Sequence, residues 1–149
     1  MAAILLAAGE ASRMEACKVL LPIGGRPALE VAVERLREAG IGDVVVVTGF
    51  HGERVAALAA SLGCRVAENP DPKRGMFSSV QCGIAALGAD VRGAVLLPAD
   101  IPLAKPRTIR ELVEQLESEA GVVIPSFAGR TGHPAVFGKA HFARILGWG

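Results

Sequence analysis

Short apolar runs alternate with amphipathic stretches along this chain. Ala3 to Ala7, Val44 to Thr48, Arg65 to Ala67, Ala94 to Leu97 and Val122 to Pro125 are such runs, most of them rich in β-branched residues or leucine. Several lack the apolar-polar alternation of a half-solvated strand, so they are read as strands covered on both faces. Between them lie helical stretches: Pro27 to Ala39 closed by Gly40, Gly52 to Leu62 closed by Gly63, Met76 to Leu87 closed by Gly88, and Pro106 to Glu119. Their starts and stops have the chemistry of helix termini. In the last, Ile109, Leu112, Val113 and Leu116 fall at helical spacing, while Arg110, Glu111, Glu114 and Glu117 take the other side. Strand, helix, strand in repetition predicts a parallel sheet with right-handed crossovers. No repeat, low-complexity tract or linker interrupts it, so residues 1–149 are expected to form a single three-layer α/β domain. Ligands of such sheets bind beyond the carboxyl ends of the strands. The chemistry is therefore expected in Ala8 to Lys18, Gly49 to His51, Glu68 to Gly75, Pro98 to Pro102 and Ser126 to Pro134.

Composition narrows the partners. Residues are 51% hydrophobic and 21% charged, which excludes a disordered chain. With 16 Lys and Arg against 15 Asp and Glu, the net charge of +1 leaves no footprint for sequence-independent nucleic-acid binding. Aromatics make up only 4%, which argues against base-stacking single-strand binders. The longest wholly apolar run, Met1 to Ala8, is far shorter than the roughly 20 residues that span a bilayer, and no cationic segment precedes it. A cytoplasmic protein without membrane contact is expected. Cys17, Cys64 and Cys82 are widely spaced and contain no CxxC pair, so they are read as reduced thiols.

Ala8 to Lys18 follows the first strand. Its small residues let backbone amides approach an anion, and Arg13 and Lys18 supply two charges where a triphosphate would lie. The segment is neither a Walker A loop nor GxGxxG, and a small-residue loop with two cations is also a common surface feature. Pro98-Ala99-Asp100-Ile101-Pro102 closes a buried strand with a carboxylate, a hard oxygen ligand suited to Mg²⁺; an aspartate there can also merely cap a turn. Glu68 reads as a rim charge. Gly75-Met76-Phe77-Ser78-Ser79 opens a helix whose amides and hydroxyls can meet a phosphate or ribose, or simply cap it. His133 sits between Gly132 and Pro134 in a rigid turn and reads as a second-substrate contact rather than a base, whereas His51 and His141 receive no role. Met14 and Met76 read as packing residues.

The order of these residues carries more. Leu6-Ala7-Ala8-Gly9, then Arg13-Met14, then Lys18, Leu20-Leu21-Pro22 and Gly25-Arg26-Pro27 closely resembles the nucleotidyltransferase signature of molybdenum cofactor cytidylyltransferases. The resemblance continues through Asn69-Pro70, Gly75 to Val80, Gly83-Ile84 and Pro98 to Leu103, and ends near Gly129 to Phe137. It implies a three-layer Rossmann-like α/β fold with a mostly parallel sheet, of the nucleotide-diphospho-sugar transferase type. The implied reaction moves CMP from CTP to a phosphomonoester of the molybdopterin cofactor type, with Mg²⁺ and release of pyrophosphate. Arg13, Lys18 and Asp100 would be catalytic, with Asp100 on the metal. Leu6, Ala7, Ala8, Gly9, Arg13, Lys18, Gly75, Ser79 and Gly83 would bind nucleotide; Ser78, Gly132, His133 and Pro134 would bind the acceptor. Related guanylyl enzymes read Leu-Ala-Gly-Gly at the first loop, so Ala8 favours CTP over GTP. The alternatives are guanylyl transfer, another acceptor such as a sugar phosphate, choline phosphate or methylerythritol phosphate, or a homologue that binds nucleotide without turnover. Glu15 stands where the resembling enzymes carry glycine and is expected to repel the triphosphate, so that Glu15→Gly tightens CTP binding. The resembling enzymes are also longer at the C-terminus, which predicts self-association through the region of Trp148 or a loose last helix.

Overall fold

The computed structural model describes residues 1–9, 17–50, 52–116 and 121–149. In chain order the elements are β1 (Ala2–Leu6), β2 (Pro22–Ile23), β3 (Arg26–Pro27), α1 (Ala28–Glu38), β4 (Val44–Thr48), α2 (Gly52–Ser61), β5 (Arg65–Glu68), α3 (Met76–Ala85), β6 (Gly93–Pro98), α4 (Pro106–Glu114), β7 (Val122–Val123), β8 (Ser126–Phe127), β9 (Arg130–Thr131), β10 (Ala135–Gly138) and α5 (Phe142–Leu146). Short 3₁₀ turns occupy Lys18–Leu20, Pro72–Arg74 and Lys139–His141.

Among the described residues the main sheet runs β5-β4-β1-β6-β10-β7. The first four strands are parallel, with Leu5 paired to Val46 on one side and to Leu97 on the other. Strands β1 and β4 are buried along their whole length, which is why they read as unbroken apolar runs. Successive side chains of β1 serve opposite layers. Ala3 and Leu5 join a core with Leu29, Val33 and Leu36 of α1, Val55 of α2 and Ile109 of α4. Ile4 and Leu6 join a second core with Val80 and Ile84 of α3 and Phe137 of β10. The layering is thus helix, sheet, helix, as expected, and the sheet is mostly parallel.

The far edge departs from the purely parallel pattern. Val122–Val123 does not pair with β6; the four-residue β10 lies between them, antiparallel to both. The expected strand Val122 to Pro125 shrinks to its first two residues. The segment after it forms the β8/β9 hairpin, whose turn places Ala128 and Gly129 at φ 49° and 76°, the geometry of a tight two-residue hairpin turn. The expected helix Pro106 to Glu119 ends at Glu114, with Gln115 as its C-cap; residues 117–119 of the expected span lie outside the described residues. The last helix docks on α3: Gln81 Nε2 donates to the carbonyls of Ile145 at 2.9 Å and Trp148 at 2.7 Å, and Trp148 meets Phe77 edge-on at 6.4 Å. These contacts give the last helix a defined seat on α3. No helix among the described residues is long and apolar enough to cross a membrane.

Candidate nucleotide cleft

The strand order β5-β4-β1-β6 has β1 as its reversal point: the chain moves outward from β1 through β4 to β5, then returns to the other side as β6. After β1 and β6 the chain turns to the layer of α1 and α4, whereas after β5 it turns to α3 on the other face, and a crevice lies between these loops at the carboxyl ends of the strands. A cleft of about 420 Å³ opens at this place, lined by residues of five segments, of which Phe50 after β4 and Pro72 to Ser79 after β5 face it together as the third wall. The first wall is Leu6 to Gly9; the second Cys17 to Val19; the third Phe50 with Pro72, Lys73, Gly75, Met76 and Ser79; the fourth Pro98 and Asp100.

Each wall is held by backbone bonds. Ala7 N donates to Val47 O at 2.9 Å, which continues the sheet past β1, and Ala99 N donates to Leu6 O at 3.0 Å, which ties the Asp100 loop to the first loop. Ala99 is fully buried while Asp100 beside it is exposed, so the carboxylate is carried into the cleft on an anchored neighbour. The same logic presents Lys18: Cys17 and Val19 are buried on either side of it, and the turn closes with Leu21 N donating to Lys18 O at 3.1 Å. Ala8 is buried against Gly49, where an added methyl would stand 2.9 Å from Ala8 Cβ and 2.8 Å from Pro72 Cγ. Gly49 thus lets the loops after β1, β4 and β5 close together.

The α3 wall depends on Asn69, which is 3% exposed. Its Nδ2 donates to Ser78 Oγ at 2.8 Å and Ser79 Oγ at 2.9 Å, and its Oδ1 accepts from Asp71 N at 3.0 Å. Ser78 Oγ in turn donates to Gly75 O at 2.8 Å. The net fixes the 3₁₀ turn to the first turn of α3. Gly75, at φ 93°, makes the junction in the left-handed region that glycine tolerates best, and nothing lies within 4 Å of where its Cβ would be.

Of the residues singled out from the sequence, Leu6, Ala7, Ala8, Gly9, Lys18, Gly75, Ser79 and Asp100 are brought together in this cleft. Arg13, Glu15, Met14 and His51 lie outside the described residues. Gly83 is not at the cleft; it is buried on the sheet side of α3, where an added methyl would stand 2.4 Å from Ile4 Cγ2. Its role is close helix-to-sheet packing. Ser78 is buried and its hydroxyl is occupied by Asn69 and Gly75, so it does not line the cleft. Gly132 and His133 are exposed, Pro134 is buried, and none of the three is among the cleft-lining residues. Glu68 is exposed at the end of β5, as a rim charge would be. Sequence reasoning included Phe50, Asn69 and Lys73 in the segments expected to carry chemistry but gave none of them a role of its own. For Lys73 the signal was present: a cation in a segment following a strand, two residues before the glycine that opens a helix.

The arrangement offers open backbone at Gly9 and Gly75, two ammonium groups and one carboxylate. Lys18, Lys73 and Asp100 form no ion pair among the described residues, whose pairs involve Arg26, Arg35, Arg65 and Arg107. Among those residues, no group of three or more His, Cys, Asp or Glu could hold a metal ion unaided. Such a donor set suits Mg²⁺ shared with a phosphate ligand, because that ion keeps waters and takes one or two carboxylates plus substrate oxygens.

Comparison with known proteins gives a consistent result. The family model described as MobA-like NTP transferase domain matches residues 3–148. The bifunctional protein GlmU of Maricaulis maris is 39% identical over 140 residues, which is 92% of this chain and 30% of that protein. Rv0371c of Mycobacterium tuberculosis superposes with a TM-score of 0.87 at 26% identity, covering 99% of this chain and 75% of that one. A manganese complex of Rv0371c gives 0.82 at 24% identity, with the same coverage. A nucleotidyl transferase from Methanothermobacter thermautotroptrophicus gives 0.79 at 25% identity, covering 99% of this chain and 76% of that one.

Proposed function

The chain belongs to the MobA-like NTP transferase domain family, and from that premise we propose that it transfers a nucleotidyl group from a nucleoside triphosphate to a phosphomonoester, releasing pyrophosphate. The observation that carries this reading is the convergence of the β1 loop, Lys18 and Asp100 on one cleft at the reversal point of the sheet. An oxygen of the acceptor phosphate attacks the α-phosphorus in line, the bond from that phosphorus to the bridging oxygen breaks, and pyrophosphate leaves with the electron pair. The acceptor is an anion near neutral pH, so no dedicated base is required. What the chain must supply is position and positive potential.

The β1 loop and the start of α3 offer backbone N–H groups to phosphate oxygens. The Lys18 ammonium offsets charge that builds on the triphosphate, and Arg13 is assigned the same work on the resemblance of its motif. Asp100 would hold Mg²⁺, which when bound neutralises phosphate oxygens and screens the attacking anion from the triphosphate; manganese in the mycobacterial neighbour is in keeping with a divalent ion. CTP is placed first as donor because Ala8 occupies the position where guanylyl relatives carry glycine, and the acceptor is placed in the molybdopterin class. Gly132, His133 and Pro134 lie outside the cleft's lining and keep an acceptor role on the resemblance alone. A cytoplasmic location fits such substrates.

The test is pyrophosphate release with each of the four NTPs and Mg²⁺ against molybdopterin-type, sugar-phosphate, choline-phosphate and methylerythritol-phosphate acceptors. CTP-dependent release with the molybdopterin-type acceptor is the expected result. Release with GTP, or with another acceptor, moves the chain to a neighbouring branch. Binding of NTP without release in any pairing refutes turnover and leaves a nucleotide-binding homologue.

A further inference from the structure

We infer that Lys73 is a second phosphate-binding cation of the cleft, a role that rests on the nucleotidyl-transfer reading and deepens it. Lys73 occupies the middle of the Pro72–Arg74 turn and lines the same cleft as Lys18, Ser79 and Asp100. Pro72 immediately before it is pressed onto Gly49, whose other close neighbour is Ala8, with Pro72 Cγ 2.8 Å from where a Gly49 Cβ would stand. That packing delivers the next residue beside the Ala8-Gly9 loop.

The turn is held from both ends. Arg74 N donates to Asp71 O at 3.2 Å and Gly75 N to Pro72 O at 3.1 Å, while buried Asn69 binds Asp71 N on one side and the Ser78 and Ser79 hydroxyls on the other. A long ammonium side chain thus starts from a fixed backbone. Lys73 itself is exposed and pairs with no carboxylate among the described residues.

Charge bookkeeping gives the reason for a second cation. Lys18, Lys73 and Asp100 are the charged side chains lining the cleft among the described residues. Without Lys73, the described lining would be neutral, although the reaction gathers a triphosphate and a phosphomonoester, both anionic. With Asp100 committed to a divalent ion, Lys18 and Lys73 would both remain free to meet phosphate oxygens. The shared chemistry is a phosphate group, belonging either to the donor's triphosphate or to the acceptor.

The experiment titrates the whole chain with CTP and with inorganic pyrophosphate at fixed Mg²⁺, as wild type, Lys73→Gln and Lys73→Arg. Lys73 is exposed, so both variants should keep the wild-type melting temperature. Loss of one charge-assisted contact should weaken binding roughly tenfold in Lys73→Gln, with recovery in Lys73→Arg and a gap that narrows as salt is added. Weakening of both probes puts Lys73 on the donor's phosphates. Unchanged CTP and pyrophosphate affinity with a raised KM for the phosphorylated acceptor puts it on the acceptor. Unchanged affinities together with an unchanged acceptor KM overturn the inference, as does a wild type that binds neither probe. Lys73-dependent pyrophosphate binding without pyrophosphate release from any NTP would sink the transferase reading and leave the phosphate site standing.

Discussion

Replacing Gly83 by alanine should destabilise the fold even though alanine is the better helix former by about 1 kcal/mol. A methyl at this position would stand 2.4 Å from Ile4 Cγ2, 3.1 Å from Val47 Cγ2 and 3.3 Å from Ile4 Cδ1. Ile4 and Val47 are fully buried and β-branched, so neither side chain can rotate away into free space. Inserting a methyl into such a core costs about 1–3 kcal/mol, and the shortness of the Ile4 contact places the change at the upper end. Less the propensity gain, the net loss is about 2 kcal/mol, or roughly 4–8 °C in Tm for a domain of this size. Calorimetric melting measures it, with CTP titration well below Tm as the companion assay. Because the methyl would point at the sheet and not into the cleft, CTP affinity should be unchanged. An unchanged or raised Tm combined with lost CTP binding would refute the reasoning and return Gly83 to the nucleotide.

Asp100→Asn should leave Tm unaltered, since Asp100 is exposed and unpaired among the described residues, while lowering turnover roughly 100-fold; an unchanged rate and Mg²⁺ dependence would remove it from the site. Asn69→Ala should cost about 2–3 kcal/mol by stripping hydrogen bonds from buried Ser78 and Ser79 and from the turn, and should weaken CTP binding as well; chemical denaturation and titration read the two effects. Burial pushes the Cys64 thiol above its ordinary range, and the Arg37 guanidinium offsets this only in part. The unfolded chain therefore loses that proton first as pH rises, the native state binds more protons, and stability should fall above about pH 8.5. In Cys64→Ala the slope of stability against pH over that range should flatten, and an identical slope in the variant would assign it to other groups.

The alternation of apolar runs and amphipathic stretches was enough to place β1, β4 and β6 and the helices between them, because strands buried on both faces leave an unbroken apolar signature; the edge strand β5, exposed at Arg65, Val66 and Glu68, lacks that signature and was legible only as a short run between two helical stretches. The far edge was not legible. Ala135-Val136-Phe137-Gly138 is four residues long, and its antiparallel place between β6 and β7 depends on tertiary pairing that no local pattern encodes. A motif names a segment without saying which face of its helix is wet, and Ser78 and Gly83, read as ligand contacts, are not among the cleft-lining residues. The spacing did hold a clue, since Val80 and Ile84 mark the buried stripe and Gly83 lies beside them. Ser78 needed Asn69, nine residues earlier, before its hydroxyl could be read as internal.

The division of labour between these side chains bears on how the cleft can bind. Among the described residues every buried side-chain nitrogen and oxygen has a hydrogen-bond partner, including Asn69 and the two serines that frame the α3 wall. Lys18, Lys73 and Asp100, which form no ion pair among the described residues, are exposed, so they carry no penalty from unsatisfied buried charge. A ligand therefore gains by replacing water at already solvated charges, and that gain is screened by salt. Selectivity for one anion over another must then come from the geometry of the fixed parts: the Gly9 loop tied to β6, the Asn69-bound turn and the start of α3. Weakening the frame at Asn69 should accordingly erode discrimination between pyrophosphate and CTP, whereas removing a charge at Lys73 should lower phosphate affinity while leaving the frame intact. If Lys73→Gln and Asn69→Ala instead changed the ratio of the two affinities alike, frame and charge would not be separable, and this account of selectivity would fail.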